Sequence, residues 1–491
     1  MRCLLIAACA LLAWPCYSQA PLEPAPIYPL PPIVGASDAP AESILSRLDR
    51  LEAENAQLRS RLDAFVSQPA SEDGVTFAVF PGGELAGSSQ LVQPCACHQP
   101  NCVVCQHGRG SHSTYPTLTW SGFLQLDSGW VSQDDANIAT VGNVQAQTGL
   151  RRVRLRATGR VRDDVSYMID LDFAAAGHPS FRDVKFTLHE RPGLQNVVIG
   201  YFQQPFGLDA MTSGRELVLL ERQLPFAFAP FRQTGLMSHG TALDESITWA
   251  HSAFVFPTDS FGVSEGDRGG WSYASRMTAL TFQNAATKTL LQVGGSYCFQ
   301  DPGNDVVRYA IQPGFFVTDP DDFSSGGGVP VFVDTGDIAT QNVNLFDVEL
   351  VGLRGPWSAQ AEAVSSVVNP DVGPQLSFGG ASARLAYVLT GESHEYDRSR
   401  GVIGGVIPAK ETTSFFDVFS GAWEVAAGWA WIDLNDKSIQ GGEMQTIIVG
   451  LNRYTNSYTK LQLNVIRTLL DDPANGRSAA TVVAVRAQAS F

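Results

Sequence analysis

From Tyr115 to Phe491, apolar residues alternate with polar or small residues at a period of two. A period of two places successive side chains on opposite faces of a β-strand. Clear examples are Val197-Ile199-Tyr201 and Trp423-Val425-Ala427, and turn-forming glycine, aspartate, asparagine and proline residues separate the runs. Strands of about ten residues with a single apolar face are typical of a transmembrane β-barrel. The pattern therefore predicts an all-β fold for residues 115–491.

Sixteen such runs predict a sixteen-stranded antiparallel barrel. An even number of strands lets both ends of the barrel domain lie on the periplasmic side. A soluble β-sandwich is the alternative, but it gives no reason for aromatic residues to recur at strand ends, where membrane proteins place interfacial girdles. The runs begin near Leu118, Thr148, Val165, Arg182, Asn196, Thr234, Ser246, Gly270, Thr289, Asn342, Trp357, Phe378, Ala422, Met444, Tyr458 and Ala479.

Two connections, Gln204 to Gln233 and Gln300 to Gln341, are too long to be turns. A sixteen-stranded barrel leaves an aqueous lumen, into which a long loop can fold. The first connection carries the apolar run Leu217-Val218-Leu219-Leu220, which is unfavourable in outside water. We expect this loop to form the pore constriction; packing across a subunit interface is the alternative. Its charged residues, which would set the local field, are Arg215, Glu216, Glu221, Arg222 and Arg232.

The second predicted strand carries a row of arginines on one parity and apolar or small residues on the other. An arginine at the hydrocarbon mid-plane costs roughly 2–4 kcal/mol, so the row is expected to face the lumen. A three-residue turn, 162–164, pairs Val161 with Val165 and sets Arg156 opposite Asp170 and Arg154 opposite Asp172. Arg152 and Arg160 are then freer to attract anions; the alternative is a salt ladder that only stiffens the wall. The predicted pore-lining set is Arg152, Arg154, Arg156, Arg160, Asp170 and Asp172.

The first 66 residues predict three segments outside the barrel. Residues 1–20 have a basic start, an apolar stretch and a small-residue cleavage site, as in a secretory signal peptide. Residues 21–42 form a proline-rich spacer. Residues 43–66 repeat apolar positions as heptads, with Asn55 at a core position, which predicts a coiled coil without deciding between dimer and trimer. The alternative for this segment is a single amphipathic helix packed on the protein.

Residues 67–114 are predicted to be a flexible linker that contains cysteine and histidine. Its four thiols, Cys95, Cys97, Cys102 and Cys105, are close enough to form two disulfides in an oxidising compartment. Four thiolates can also form a tetrahedral zinc site. The sequence leaves open both readings and a third, in which the thiols form neither disulfides nor a metal site.

The charge of the chain limits its partners. The 33 Lys and Arg against 49 Asp and Glu give a net charge of −16, which argues against a nucleic-acid partner. No spacing of Ser, His and acidic residues suggests a catalytic site, so we expect neither enzyme activity nor a cofactor.

Several short stretches, in this order, resemble the phosphate-selective porin O and P family across about residues 118–491. They include Arg151-Arg152-Val153-Arg154, Pro205-Phe206-Gly207-Leu208 and, further along, Gly421-Ala422-Trp423-Glu424. The resemblance implies a trimeric, sixteen-stranded porin in the outer membrane, and family members with an N-terminal coiled coil match residues 43–66. Phosphate-selective members line the pore with lysine and arginine, whereas this chain has only five lysines, all in the barrel region.

The leading functional prediction is an outer-membrane porin, a passive diffusion channel for small polar solutes and ions, including anions such as phosphate. The second hypothesis is a structural anchor, in which the N-terminal segment lies in the periplasm and the coiled coil tethers the barrel to the cell wall or to a periplasmic partner.

Overall fold

The computed structural model describes residues 115–174, 179–266, 270–317, 329–414, 417 and 419–491. The predicted signal peptide, proline-rich spacer, coiled coil and cysteine cluster lie outside these residues. Among the described residues, no helix has the length and apolar character needed to cross a membrane.

Sixteen antiparallel strands close into a barrel, in which each strand pairs with its sequence neighbours and the last pairs with the first. The predicted all-β fold and strand number are confirmed. The strands are β1 (Thr119–Gln133), β2 (Gln147–Arg162), β3 (Val165–Asp172), β4 (Ser180–Arg191), β5 (Gln195–Gln203), β6 (Arg232–Ala242), β7 (Ile247–Val255), β8 (Trp271–Asn284), β9 (Thr289–Gln300), β10 (Ile338–Arg354), β11 (Trp357–Pro370), β12 (Leu376–Val388), β13 (Ala422–Asp436), β14 (Ile439–Tyr454), β15 (Thr459–Asp472) and β16 (Gly476–Ser490).

The two ends of the barrel differ in the length of their connections. At the turn end, where β1 begins and β16 finishes, strands are joined by short turns such as 163–164 and 355–356, apart from the segment 389–421. The opposite, loop end carries the long connections 134–146, 204–231, 256–270 and 301–337. The first of these contains a short helix, α1 (Asp135–Val141), capped by the side chain of Asp134.

The strands alternate between an exposed apolar outer face and a buried inner face. On β1, Leu124 and Leu126 are exposed, whereas Gln125 and Asp127 are buried. Outward tryptophans lie near both ends of the strands, with Trp120 and Trp357 at the turn end and Trp130 and Trp271 at the loop end. This arrangement matches an apolar band between two aromatic girdles, as a membrane-spanning barrel requires.

Three segments fold into the barrel and form an apolar core with one side of its inner wall. The described parts of 204–231 and 301–337, which we call the first and second lumenal loops, enter from the loop end, and those of 389–421 enter from the turn end. The first two segments were predicted as long connections, but the third, which contains the short strands His394–Asp397 and Val402–Val406, was not. These two strands pair with each other and not with the barrel.

Small residues on the inner wall make room for the first lumenal loop. Leu219 lies over Gly428 of β13 and Gly450 of β14, where an added Cβ would lie 2.6 and 3.2 Å from its methyl groups. The inward-facing amide of Asn452 donates to the carbonyl of Val218 at 2.7 Å, and the Leu220 amide donates to Asn464 at 2.8 Å. The loop therefore lies inside the barrel, which excludes the alternative that its apolar run packs against another subunit.

Candidate functional site

A cavity of about 670 Å³ lies in the lumen beside the first lumenal loop. Its lining contains seven arginines but only three acidic side chains, although the chain as a whole is acidic. Wall strands and the lumenal loops both contribute. The arginines are Arg151, Arg152, Arg154, Arg182, Arg222, Arg232 and Arg308, and we call them the arginine cluster.

One loop carboxylate joins the arginine cluster to the barrel wall. Glu221 accepts from Arg152 at 2.7 Å, from Arg151 at 3.1 Å and from Arg486 of β16 at 2.5 Å. Arg486 also pairs with Asp127 of β1 at 2.7 Å. Burial disfavours the charged form of Glu221, but the three guanidinium groups outweigh burial and hold the pKa of Glu221 below its ordinary value of 4.5.

A β-bulge brings Arg151 into this group. Gln125 of β1 pairs with Arg152, but the next residue, Leu126, pairs with Leu150, so Arg151 is the extra residue on β2. Arg151 and Arg152 are consecutive, yet both are buried on the lumenal side. Strict alternation assigned Arg151 to the outer face, so Arg151 was absent from the predicted pore-lining set.

Arg154 and Arg156 have the partners that the sequence predicted. Arg154 lies opposite Asp172 and Arg156 opposite Asp170, with ion-pair distances of 3.1 and 2.6 Å. The predicted turn, however, is wrong. Arg162 pairs with Val165 across a two-residue turn, and Val161 is an extra, bulged residue on β2. The bulge shifts the register by one residue, so the arginines of β2 still face the same side as Asp170 and Asp172.

Arg152 and Arg160 differ from the expectation that both are free to attract anions. Arg152 is 3% exposed, pairs with Glu221 and donates to Gln125 Oε1 at 2.7 Å. That expectation was wrong for Arg152, because the loop that supplies Glu221 could not be aligned with β2 from sequence. Arg160 is exposed next to the turn after β2, where it donates to the carbonyl of Asp163.

The other charged residues predicted in the loop occupy distinct environments. Arg215 and Glu216 form a 2.7 Å pair with an exposed guanidinium. Arg222 donates to the carbonyls of Asp209 and Thr212 at 2.8 and 2.7 Å, which fixes the loop. Arg232 lies at the start of β6 and pairs with Asp183 at 3.2 Å.

Phe231 separates two members of the cluster. The guanidinium of Arg232 lies 4.5 Å from the ring centroid of Phe231, and that of Arg222 lies 5.1 Å from it. Cation–π contacts of this kind hold guanidinium groups in place without neutralising their charge. Arg232 is 7% exposed, and its Nε and Nη1 atoms are buried without a hydrogen-bond partner in the described protein.

Arg182 and Arg308 were absent from the predicted set. Arg182 lies 3.5 Å from Asp172, which also pairs with Arg154, and Arg308 pairs with Asp334 in the second lumenal loop. Only the fold of that loop brings Arg308 to the cavity. In the described part of the chain, no group of three or more His, Cys, Asp or Glu side chains is arranged to hold a metal ion.

Comparisons with known proteins agree with the barrel. The family model described as phosphate-selective porin O and P matches residues 125–491. Porin O of Pseudomonas aeruginosa is 23% identical over 384 residues, which cover 72% of this chain and 83% of Porin O.

Similar solved structures include an anion-selective porin from Comamonas acidovorans, 12% identical, with a TM-score of 0.44 over 77% of this chain and 100% of that porin. The outer membrane channel DcaP of Acinetobacter baumannii is also 12% identical, with a TM-score of 0.45 over 77% and 97% of the two chains. Because the family model matches residues 125–491 and the sixteen-stranded sheet closes into a barrel, the chain belongs to the phosphate-selective porin O and P family and is an outer-membrane diffusion channel.

Proposed function

We propose that this channel prefers small inorganic anions, phosphate among them, and that the arginine cluster attracts them to the constriction. The observation that carries the proposal is the seven-to-three excess of arginines over acidic side chains around the lumenal cavity. Fixed positive charge in a narrow, low-dielectric passage raises the local anion concentration and repels cations. The acidic total of the chain does not oppose this, because permeating ions respond to the charges nearest to them.

Arg232 is the residue best suited to contact a permeating anion. Its two unpartnered buried donors border the cavity, and a guanidinium presents donors in a planar fork that fits oxyanions. Arg152, Arg154 and Arg156 are each paired with a carboxylate and contribute mainly to the field. On this basis, Asp170 and Asp172 position and partly neutralise the arginines of β2.

The test is the reversal potential of single channels in planar bilayers under a potassium chloride gradient. We expect anion selectivity in the wild type and a shift toward cations in Arg232→Gln. The control is Arg477→Gln, which removes a strongly exposed arginine outside the lumen and is expected to leave the potential unchanged. Cation selectivity in the wild type would overturn the proposal.

Phosphate is tested by adding it to chloride-conducting channels. A phosphate ion that binds to the arginine cluster is expected to reduce the chloride current in the wild type, and to reduce it less in Arg232→Gln.

Deletion of 213–222 from the first lumenal loop tests whether this loop forms the narrowest point of the pore, in which case the deletion is expected to raise conductance. An unchanged conductance would show that this loop does not form the constriction.

We also propose an orientation and an assembly for the chain. Longer connections at the loop end support placing that end outside the cell, with the turn end and the N-terminal segment in the periplasm. A homotrimer is proposed from the porin fold, with the coiled coil adding avidity. The structural-anchor role is retained only as an additional role of the N-terminal segment, through contact with the cell wall or a periplasmic partner.

A further inference from the structure

An arginine projects from the apolar outer wall of the barrel. Arg467 lies on β15 with Val465 and Leu469 on the same parity, and all three side chains are exposed. The intervening residues, Ile466 and Thr468, are fully buried on the lumenal side. Arg467 is therefore in the membrane-facing surface and is not a lining residue of the pore.

The neighbours of Arg467 place it near the girdle at the loop end. Arg467 lies opposite Ile447 of β14, an exposed apolar residue, and opposite Thr481 of β16. Thr481 in turn lies opposite Ser132 of β1, two residues beyond the girdle residue Trp130 toward the loop end. An arginine at this level can extend its guanidinium from apolar surroundings toward the polar headgroup region.

The hydrogen bonding of Arg467 differs from that of the lumenal arginines. Its Nη1 atom donates to the hydroxyl of Thr481 at 2.8 Å, which supplies no negative charge. Within the described residues, no ion pair joins Arg467 to a carboxylate, whereas Arg477 nearby pairs with Asp471 at 3.0 Å. A guanidinium has five donors, so most of the donors of Arg467 remain available to an anion from the membrane.

We propose that Arg467, together with the hydroxyl of Thr481, binds the phosphate group of a lipid in the outer leaflet. A charge near hydrocarbon requires a counterion, and a phosphate at headgroup depth offers paired oxygens to the planar guanidinium. Ser132 of β1, which lies opposite Thr481, places a second hydroxyl beside the site. The inference uses the proposed orientation, with the loop end outside, and is independent of the ion selectivity of the pore.

The experiment compares two lipids on the delipidated, detergent-solubilised full-length protein. Diphosphorylated lipid A and its fully dephosphorylated form are titrated, and bound lipid is counted by native mass spectrometry. We expect Arg467→Gln to weaken binding of the diphosphorylated lipid about tenfold, because one charge-assisted contact is lost. The matched control is Arg354→Gln, an exposed arginine at the turn end of β10, which should leave binding unchanged.

Equal affinity of wild type and Arg467→Gln for the phosphorylated lipid would overturn the proposal. Unchanged lipid binding with loss of the oligomer on size-exclusion chromatography would place Arg467 in a subunit contact instead. If Arg467→Gln does not fold, the wild type alone decides, since equal binding of the two lipids excludes phosphate recognition. None of these readouts uses conductance, so they are separate from the test of anion selectivity.

Discussion

Glu221 of the first lumenal loop lies 2.7 Å from Arg152 of the barrel wall, and both side chains are almost fully buried. This contact is the centre of a group in which Arg151 and Arg486 approach the same carboxylate. It fixes the first lumenal loop to the strands at which the barrel closes, β16, β1 and β2.

Replacing Glu221 with Gln should destabilise the barrel and loosen its first lumenal loop. Removing one partner of a buried ionic network leaves uncompensated charge, which costs about 3–5 kcal/mol. We expect a lower thermal unfolding temperature and noisier single-channel currents. Glu216→Gln is the matched control, because Glu216 pairs with an exposed guanidinium and such pairs contribute only about 0–1 kcal/mol. Equal stability of the two variants would refute the anchoring role of Glu221.

A valine at Gly428 should displace the first lumenal loop from the wall. The Cβ would lie 2.6 Å from a methyl group of Leu219, closer than ordinary packing allows, and valine adds two further methyl groups. We therefore expect the buried Leu219 side chain, and with it the loop, to shift toward the open lumen. We expect altered single-channel conductance together with reduced stability. Gly352→Val is the control, because a Cβ there meets no atom within 4 Å. Wild-type conductance in the Gly428 variant would show that the loop does not set the pore width.

Removing the charge of Asp172 should increase anion selectivity. Asp172 lies 3.1 Å from Arg154 and 3.5 Å from Arg182, so Asp172→Asn leaves both arginines less neutralised. The reversal potential in a potassium chloride gradient is expected to move closer to the value of a channel that conducts only anions. The control is Asp164→Asn, which removes a carboxylate that also contacts two arginines but lies in the turn after β2, at the turn end of the barrel. This variant is expected to shift the reversal potential less. An equal shift in both variants would contradict a local effect of Asp172.

The segment 389–421 should become less firmly anchored as the pH rises. His394 Nε2 lies 2.5 Å from Glu424 of β13, and Nδ1 lies 2.9 Å from the carbonyl oxygen of Gly404. Both nitrogens face acceptors, so the doubly protonated ring satisfies both contacts. Burial and nearby Lys460 lower the pKa of His394, but Glu424 outweighs them and raises it above the ordinary 6.5.

Because the folded pKa is raised, this contribution to stability is complete below about pH 6.5 and is lost as the pH passes the raised value. The protection of 389–421 against hydrogen exchange, measured relative to intrinsic exchange at each pH, is therefore expected to fall above pH 6.5 in the wild type. His394→Gln, which cannot carry the charge, should lose this pH dependence. A wild-type profile in that variant would assign the effect to another group.

Deletion of 21–66 is expected to leave a barrel that inserts into membranes but assembles less firmly. We expect the barrel walls to provide most of the contact between subunits and the coiled coil to add avidity. Chemical cross-linking of the full-length and shortened chains tests this directly. Equal yields of cross-linked oligomer from the two chains would contradict a role of the predicted coiled coil in assembly.

The sequence by itself determined the barrel, because each membrane-spanning strand must present apolar residues to lipid at a period of two. The same constraint placed Arg154, Arg156, Asp170 and Asp172 together on the lumenal face, since a shift of one residue would turn the arginines toward lipid. These are local properties of a strand and its neighbour, and alternation is sufficient to reveal them.

Only the tertiary structure decided which side chains meet in the lumen. The residue types of β2 do not reveal the bulge that turns Arg151 inward. Glu221 contacts Arg152 although 69 positions along the chain separate the two residues. The segment 389–421 likewise contains two short strands that pair with each other and not with the barrel. Inside the barrel, position depends on how folded segments fill a shared volume, and no periodicity along the chain encodes that packing.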